Sequence, residues 1–189
     1  MRKNIKLPKG AKKKYSGNIF DHYEWRQKMY DGSFEIFEIV ARPDTVSIIA
    51  ITPDKKILVQ RQTQPHRKKS WISLPGGRVD DYEKPLAAAK RELLEETGYT
   101  SKKWQLYTKE RITIKINWTI YYFIAKDVQK THKPNLDSGE KITTYKYTFK
   151  QFLALADKKD YWDRELVLEL LRAQADAKKM RQLKKRLFK

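Results

Sequence analysis

Apolar positions change period several times along the chain, and each change marks an element. Residues 18–43, NIFDHYEWRQKMYDGSFEIFEIVARP, alternate on both sides of Asp31-Gly32, which predicts two strands joined by a hairpin. Residues 45–52, TVSIIAIT, are nearly all apolar and predict a central strand covered on both faces. KILVQRQT follows across a turn built on Pro53 and Asp54 and predicts its up-and-down partner. SWISLPGG then leads into a helix, PLAAAKRELLEETGY, with Pro85 in its first turn and Gly98 just past its end. At 100° per residue, Leu86, Ala89, Leu93 and Thr97 share one arc that should face a sheet, and Glu92, Glu95 and Glu96 take a neighbouring arc. RITIKINWTIYYFIAKDV predicts one long strand or two short ones, and KITTYKYTF another. A last helix runs through RELVLELLRAQA, with Asp163 as its cap and Trp162 as a hydrophobic staple. Strands, helix, strands, helix: the order predicts an α/β fold with a mixed sheet between helices.

Composition narrows this picture. The chain has 189 residues, enough for one domain with a substantial core, and no cysteine, so disulfides and thiolate metal sites are excluded. His22, His66 and His132 are scattered and lack the close spacing of a zinc site. No apolar run has the roughly 20 residues of a membrane helix, and the N-terminus has no secretory pattern. A cytoplasmic protein without a membrane span is expected. The net charge of +19 sits mostly at the ends: residues 1–14 hold 7 basic and no acidic residues, and residues 172–189 hold 8 basic and 1 acidic. The chain therefore divides into a basic tail (1–14), an N-terminal strand region (15–44), a main domain (45–175) and a basic helix end or tail (176–189). Such ends give weak nucleic-acid or polyanion contact and are expected to be solvated.

The chemistry lies in the first helix. A helix C-terminus carries partial negative charge, so carboxylates are unfavourable there, and Glu92, Glu95 and Glu96 also repel one another at three- and four-residue spacing. A hard divalent cation such as Mg²⁺ would turn that repulsion into shared attraction. Arg91 stands four residues before Glu95 and can hold its carboxylate. The Pro75-Gly76-Gly77 stretch lets backbone approach the same place.

The spacing of these residues resembles a known signature. Gly77, five residues, Glu83, seven residues, Arg91-Glu92-Leu93, one residue, Glu95-Glu96, one residue and Gly98 is similar to the box of the Nudix hydrolases. At background usage of about 5–7% per residue, eight such letters coincide roughly once in 10¹⁰ placements. Tyr99 replaces the aliphatic residue that the family prefers, a hydrophobic exchange.

The resemblance implies an α/β/α sandwich with additional N-terminal strands. It implies metal-dependent hydrolysis of a nucleoside diphosphate linked to another group. Glu92, Glu95 and Glu96, with the carbonyl of Gly76, would ligate Mg²⁺, with Mn²⁺ as a substitute. Arg91 would orient the acids, Glu83 would brace the loop, and Gly77 and Gly98 would serve the backbone. The base is expected from a later loop, with Glu140 as first candidate, Asp137 in reserve and Glu95 as a further catalytic acid.

Residues 42–99 look most like the ADP-ribose pyrophosphatase branch, whose members cut ADP-sugars to AMP and a sugar phosphate. Two departures stand against it: Thr63 where that branch often carries Arg before its Pro, and no Pro in TIKINWTIYYF. Arg42, Arg61 and Gln62 are the candidate substrate contacts. Relatives in the branch include homodimers whose N-terminal strands complete the partner's site, where Trp25, Tyr23 or Phe34 would stack on a base. Two other readings remain: hydrolysis of nucleoside triphosphates, dinucleotides or RNA 5′ ends, and a non-catalytic nucleotide- or RNA-binding module. All the box carboxylates are present, which favours catalysis.

Overall fold

A computed structural model describes residues 7–111 and 113–189; Met1–Lys6 of the basic tail and Ile112 lie outside the described residues. An N-terminal arm is formed by β1 (Lys12–Ser16), β2 (Asp21–Lys28) and β3 (Phe34–Ala41). The body follows with β4 (Thr45–Ala50), β5 (Ile57–Thr63), β6 (Trp71–Ser73), α1 (Pro85–Thr97), β7 (Tyr99–Thr100), β8 (Lys103–Arg111), β9 (Ile116–Asn117), β10 (Thr119–Lys126), β11 (Gln129–Lys130) and β12 (Lys141–Tyr147). Three helices close the chain: α2 (Phe149–Leu153), α3 (Arg164–Ala175) and α4 (Ala177–Phe188).

Two three-stranded sheets, β4-β10-β8 and β12-β5-β6, form the middle layer. Strand alternation sends β4 and β5 side chains to opposite faces. Ile49, Ile51, Ile57 and Val59 join a core with Tyr122, Leu166, Leu170, Leu183 and Leu187 under the C-terminal helices. Val46, Ile48, Ala50 and Leu58 join Ala88, Ala89 and Leu93 under α1. The result is the expected α/β/α sandwich.

The first two body strands do not form the expected up-and-down pair. β4 pairs in parallel with β10, and its ladder contact with β5 is a single bridge, Ile51 to Ile57, beside the turn. The other edge of β4 is taken by residues 75–79. Ile48 N–H donates to the Pro75 carbonyl (2.8 Å), Val46 N–H to the Gly77 carbonyl (2.9 Å), and Val79 N–H to the Asp44 carbonyl (2.9 Å). β5 turns away to pair with β6 and β12 instead.

Among the described residues, both basic segments are more ordered than composition suggests. Lys12, Lys13 and Lys14 belong to β1, where Lys13 pairs with Asp21 at 2.9 Å and Lys14 with Glu24 at 3.5 Å. β3 joins the arm to the body through a short parallel pairing with β9, over a small cluster of Tyr23, Ile39 and Ala41. At the C-terminus, the expected solvated helix end or tail is a separate packed helix. Asp176 breaks α3 and caps α4, its side chain accepting from the N–H groups of Lys178 and Lys179 at 2.7 and 2.9 Å. Leu183 and Leu187, four apart, form a stripe that the surrounding lysines mask in composition. Arg186 fastens the helix from outside, donating to the Tyr107 carbonyl at 2.6 Å with its guanidinium 3.8 Å above the Tyr107 ring.

Leu187 is fully buried, so Leu187→Ala should lower unfolding stability by about 2–5 kcal/mol. Lys178→Ala, on the exposed face, should change it by less than about 0.5 kcal/mol. Urea melts of both variants check this, and equal effects would mean that α4 does not share the core.

Candidate active site

α1 starts on Pro85 and stops at Gly98, whose left-handed backbone (φ 74°) returns its N–H to the Leu94 carbonyl at 2.8 Å. Its buried face holds Ala88, Ala89, Leu93, Glu96 and Thr97. The expected arc is therefore shifted: Leu86 is 37% exposed at the helix start, and Glu96 is on the buried face instead of a neighbouring one. Positions 89, 93 and 96 follow the same stripe, which carries an acid under the helix. The three glutamates become inequivalent. Glu95 is 42% exposed, Glu92 13% and Glu96 4%.

Arg91 uses all five of its N–H donors on this cluster. Its Nε and one terminal nitrogen grip both oxygens of Glu83 at 3.2 and 3.0 Å, and that nitrogen also donates to the Arg78 carbonyl at 2.9 Å. The other terminal nitrogen reaches Glu92 at 2.9 Å and Glu95 at 3.0 Å. Bidentate, charge-assisted bonds of this kind are strong and directional. The Arg91 contact holds the Glu83 carboxyl below its ordinary value, and Glu83 in turn raises the already high pKa of Arg91. Glu83 also accepts from Asp80 N–H at 3.2 Å, which ties down the loop before α1.

Glu96 joins three elements. Its Oε2 accepts from Gly76 N–H at 2.8 Å and from the Gln60 amide of β5 at 3.1 Å. Gly76 is required sterically: a Cβ there would fall 2.1 Å from the Val46 carbonyl oxygen. A Cβ on Gly77 would fall 2.4 Å from Glu92 Oε1, so the loop backbone lies directly against that carboxylate.

Burial raises the pKa of Glu92 to about 7, with Arg91 opposing and Glu95 and Glu140 adding repulsion. Burial also lifts Glu96 well above its ordinary value, opposed by the Gly76 N–H and Gln60 and reinforced by Glu92 and Glu140. Glu140 is itself raised, first by burial and then by Asp137 and Glu95. The loop carrying Glu140 is thus within electrostatic reach of the helix acids, although it is far from them in sequence. Its carboxylate accepts from Asp137 N–H at 3.4 Å.

Among the described residues, no three acidic or histidine side chains enclose an ion as they stand. Arg91 engages one oxygen of Glu92 and one of Glu95, and Glu96 Oε2 is engaged by Gly76 and Gln60. The donors nonetheless suit a hard divalent cation. They are all oxygens, they repel one another, and the bare backbone at Gly77 lies close against Glu92.

The candidate substrate contacts separate. Gln62 lies on the same face of β5 as Gln60 and donates to Ser73 Oγ at 2.6 Å. Arg61 points to the opposite face, donating to Ser70 and Asp160 at 3.1 and 3.3 Å, and so leaves the group of residues facing the acids. The Arg42 guanidinium stacks 4.4 Å from the Trp118 ring. Trp25 sits in the arm, with its N–H on Gln27 at 2.9 Å and its ring 5.9 Å from Phe37. A groove of about 1240 Å³ between α3, α4, β8 and β10, lined by residues such as Lys126, Arg172 and Lys189, includes none of the box residues.

Two residues that sequence reasoning did not place in the site now belong to it. Gln60 could have been noticed as a polar side chain in phase with Leu58 within the apolar run ILVQ. Asp163 was expected to cap α3, but its side chain makes no capping bond. It is buried, accepting from Ser47 Oγ at 2.6 Å and Leu74 N–H at 2.8 Å. This ties the start of α3 to the strand end that enters the Pro75-Gly76-Gly77 loop. Trp162 is likewise no staple: it is 55% exposed and packs on Trp71, with ring centroids 6.1 Å apart.

Residues 41–170 match the family model described as the NUDIX domain. The chain belongs to the Nudix family. It is a Nudix pyrophosphohydrolase, in a family that generally uses a divalent metal, and its similarity lies with the ADP-ribose pyrophosphatase branch. It is 29% identical over 154 residues to an ADP-ribose pyrophosphatase of Bacillus subtilis, covering 79% of this chain and 82% of that one. It is 30% identical over 136 residues to the methanol dehydrogenase activator of Bacillus methanolicus, covering 69% and 72%. An uncharacterised Nudix hydrolase of Schizosaccharomyces pombe is 45% identical over 117 residues, 56% of each chain. The crystal structure of an ADP compounds hydrolase superposes with a TM-score of 0.73 over 94% of this chain and 92% of that one, at 18% identity, which supports the shared fold.

The buttress beneath this Nudix loop is pH-sensitive. Burial pushes the Asp163 carboxyl up to about 6 from 3.8, although Ser47 and the Leu74 N–H pull it down. The folded state therefore holds this proton more tightly than the unfolded state, and stability is lost as pH rises through that window. Relative to Asp163→Asn, wild-type stability should fall by roughly 3 kcal/mol between about pH 4 and pH 6. Urea midpoints of both proteins across that range test it; a difference that does not vary with pH would refute it.

Proposed function

We propose that this Nudix hydrolase cleaves the pyrophosphate of ADP-ribose, or of a closely similar ADP-sugar, to AMP and a sugar phosphate, with Mg²⁺ as its ion. One observation carries the proposal: α1 gathers Glu92, Glu95 and Glu96 against a glycine loop and within reach of Glu140, a set of mutually repelling oxygens. The similarity to an ADP-ribose pyrophosphatase supports the choice of substrate.

Glu92, Glu95, Glu96 and the Gly76 carbonyl would hold Mg²⁺ or Mn²⁺. When bound, such an ion neutralises phosphate oxygens and lowers the pKa of a water. The protein's own contribution is positioning and proton transfer. Arg91 sets the rotamers of Glu92 and Glu95 and joins them to the Glu83 loop. Glu140, from a separate loop, takes the proton of the attacking water, with Asp137 beside it as reserve. Gln62 is the best-placed contact for the sugar or phosphate, while Arg42, stacked on Trp118, lies at the junction of arm and body. The arm is the surface for a second copy of the chain, and through it Trp25 would approach the partner's substrate.

The purified protein, incubated with Mg²⁺ and a panel of ADP-ribose, ADP-glucose, GDP-mannose, dinucleotides, dNTPs and capped RNA, should release AMP from ADP-ribose most efficiently. Chelation by EDTA and the Glu96→Gln substitution should each reduce turnover to background, and Glu140→Gln should lower kcat by about 10²–10⁴-fold. Preference for dNTPs or capped RNA would replace the proposed substrate. Full activity in Glu96→Gln would remove that residue from the centre.

A further inference from the structure

Gln60 is an anomaly in its layer. β5 sends Ile57 and Val59 to one core and Leu58 to the other, and Gln60 follows Leu58 into the layer beneath α1 with 0% exposure. Burying an amide there costs free energy unless its groups are paired, and an aliphatic side chain would fill the same volume without that cost. Yet the described contacts give Gln60 one side-chain bond, from Nε2 to Glu96 Oε2 at 3.1 Å, and leave its Oε1 buried without a partner.

The bond it does make falls on an oxygen that is already bonded. Glu96 Oε2 accepts from Gly76 N–H at 2.8 Å as well, so two donors from different elements converge on a single carboxylate oxygen. Two fixed donors on Oε2 set the rotation of the carboxylate about its last bond. They leave Oε1 as the oxygen it can present to a cation. The chemistry of the position also excludes near relatives. A carboxylate at 60 would add a like charge beside Glu96, and an aliphatic residue would leave only the Gly76 amide to orient it.

We propose that Gln60 is a positioning residue for the metal centre: with the Gly76 amide it locks the Glu96 carboxylate by Oε2, so that Oε1 is presented to the cation. The unpaired Gln60 Oε1 is then the acceptor for a water entering the site with the ion. This rests on the proposed role of Glu96 as a metal ligand.

The test uses the full-length protein and Mn²⁺ alone as the probe, with free Mn²⁺ read by electron paramagnetic resonance. Gln60→Met keeps the length of the side chain and removes both amide groups. It should fold at least as stably as wild type in urea while weakening Mn²⁺ binding by about 10-fold or more. The Mg²⁺ needed for half-maximal turnover of ADP-ribose should rise to the same degree, with KM for ADP-ribose at saturating Mg²⁺ within about twofold of wild type. In a Glu96→Gln background the same change should add less than about twofold, because the coupling runs through that carboxylate. A merely space-filling role would alter the urea midpoint and leave Mn²⁺ affinity alone. If Gln60→Met fails to fold, Gln60→Asn, whose amide falls one methylene short of Glu96, carries the same expectation. A wild type that binds Mn²⁺ and a folded variant that binds it equally would overturn the inference; a wild type that binds no Mn²⁺ would overturn the proposed function instead.

Discussion

A single guanidinium makes the rest of this site permissible. Three carboxylates at the negative end of a helix would repel one another and the helix dipole. Arg91 answers this with every N–H it has, bonding Glu83, Glu92, Glu95 and the Arg78 carbonyl. It neutralises charge, but its geometry matters as much: the planar fork ties the loop before α1 to the last turns of α1. Lysine could supply the charge without the fork.

Around that clamp, the fold supplies a rigid seat. β4 is bonded on one edge by β10 and on the other by residues 75–79, so the glycine loop is held almost as a strand of the sheet. Asp163, buried between Ser47 and Leu74, braces the same loop from the start of α3. Glu96 and Gln60 close the circuit between α1, the loop and β5. Each acid therefore sits in a different environment, with Glu95 exposed, Glu92 largely enclosed and Glu96 buried. That gradient differentiates three chemically identical side chains.

Much of the structure was legible in the sequence where the signal was local. The ends of α1 follow from Pro85 and Gly98, the arm hairpin from Asp31-Gly32, and the family from the spacing of Gly77, Glu83, Arg91, Glu92, Glu95, Glu96 and Gly98. The errors share a cause. β4 and β5 look like a hairpin because a turn joins them, but which strand takes which edge is decided by a loop whose bonds reach residues 27 to 35 positions away in the chain. Residues 177–188 look like a solvated end because lysine dominates their composition, whereas Leu183 and Leu187 find a core only when α3 and the sheet are present. Asp163 matches a capping pattern, but the buried donors of Ser47 and Leu74 claim its carboxylate.

The chain by itself determined its family and the local carriers of the motif: which acids share one helix, where that helix begins and ends, and how the apolar positions divide into faces. These depend on interactions within a few turns or strand residues, and spacing encodes them directly. Only the tertiary structure decided which acid is buried, that Gln60 lies beneath it, that Arg61 turns away while Gln62 does not, and that Glu140 comes within reach. Those outcomes depend on contacts between segments that are distant in sequence, and their energies come from burial and hydrogen bonds that exist only once the layers have packed.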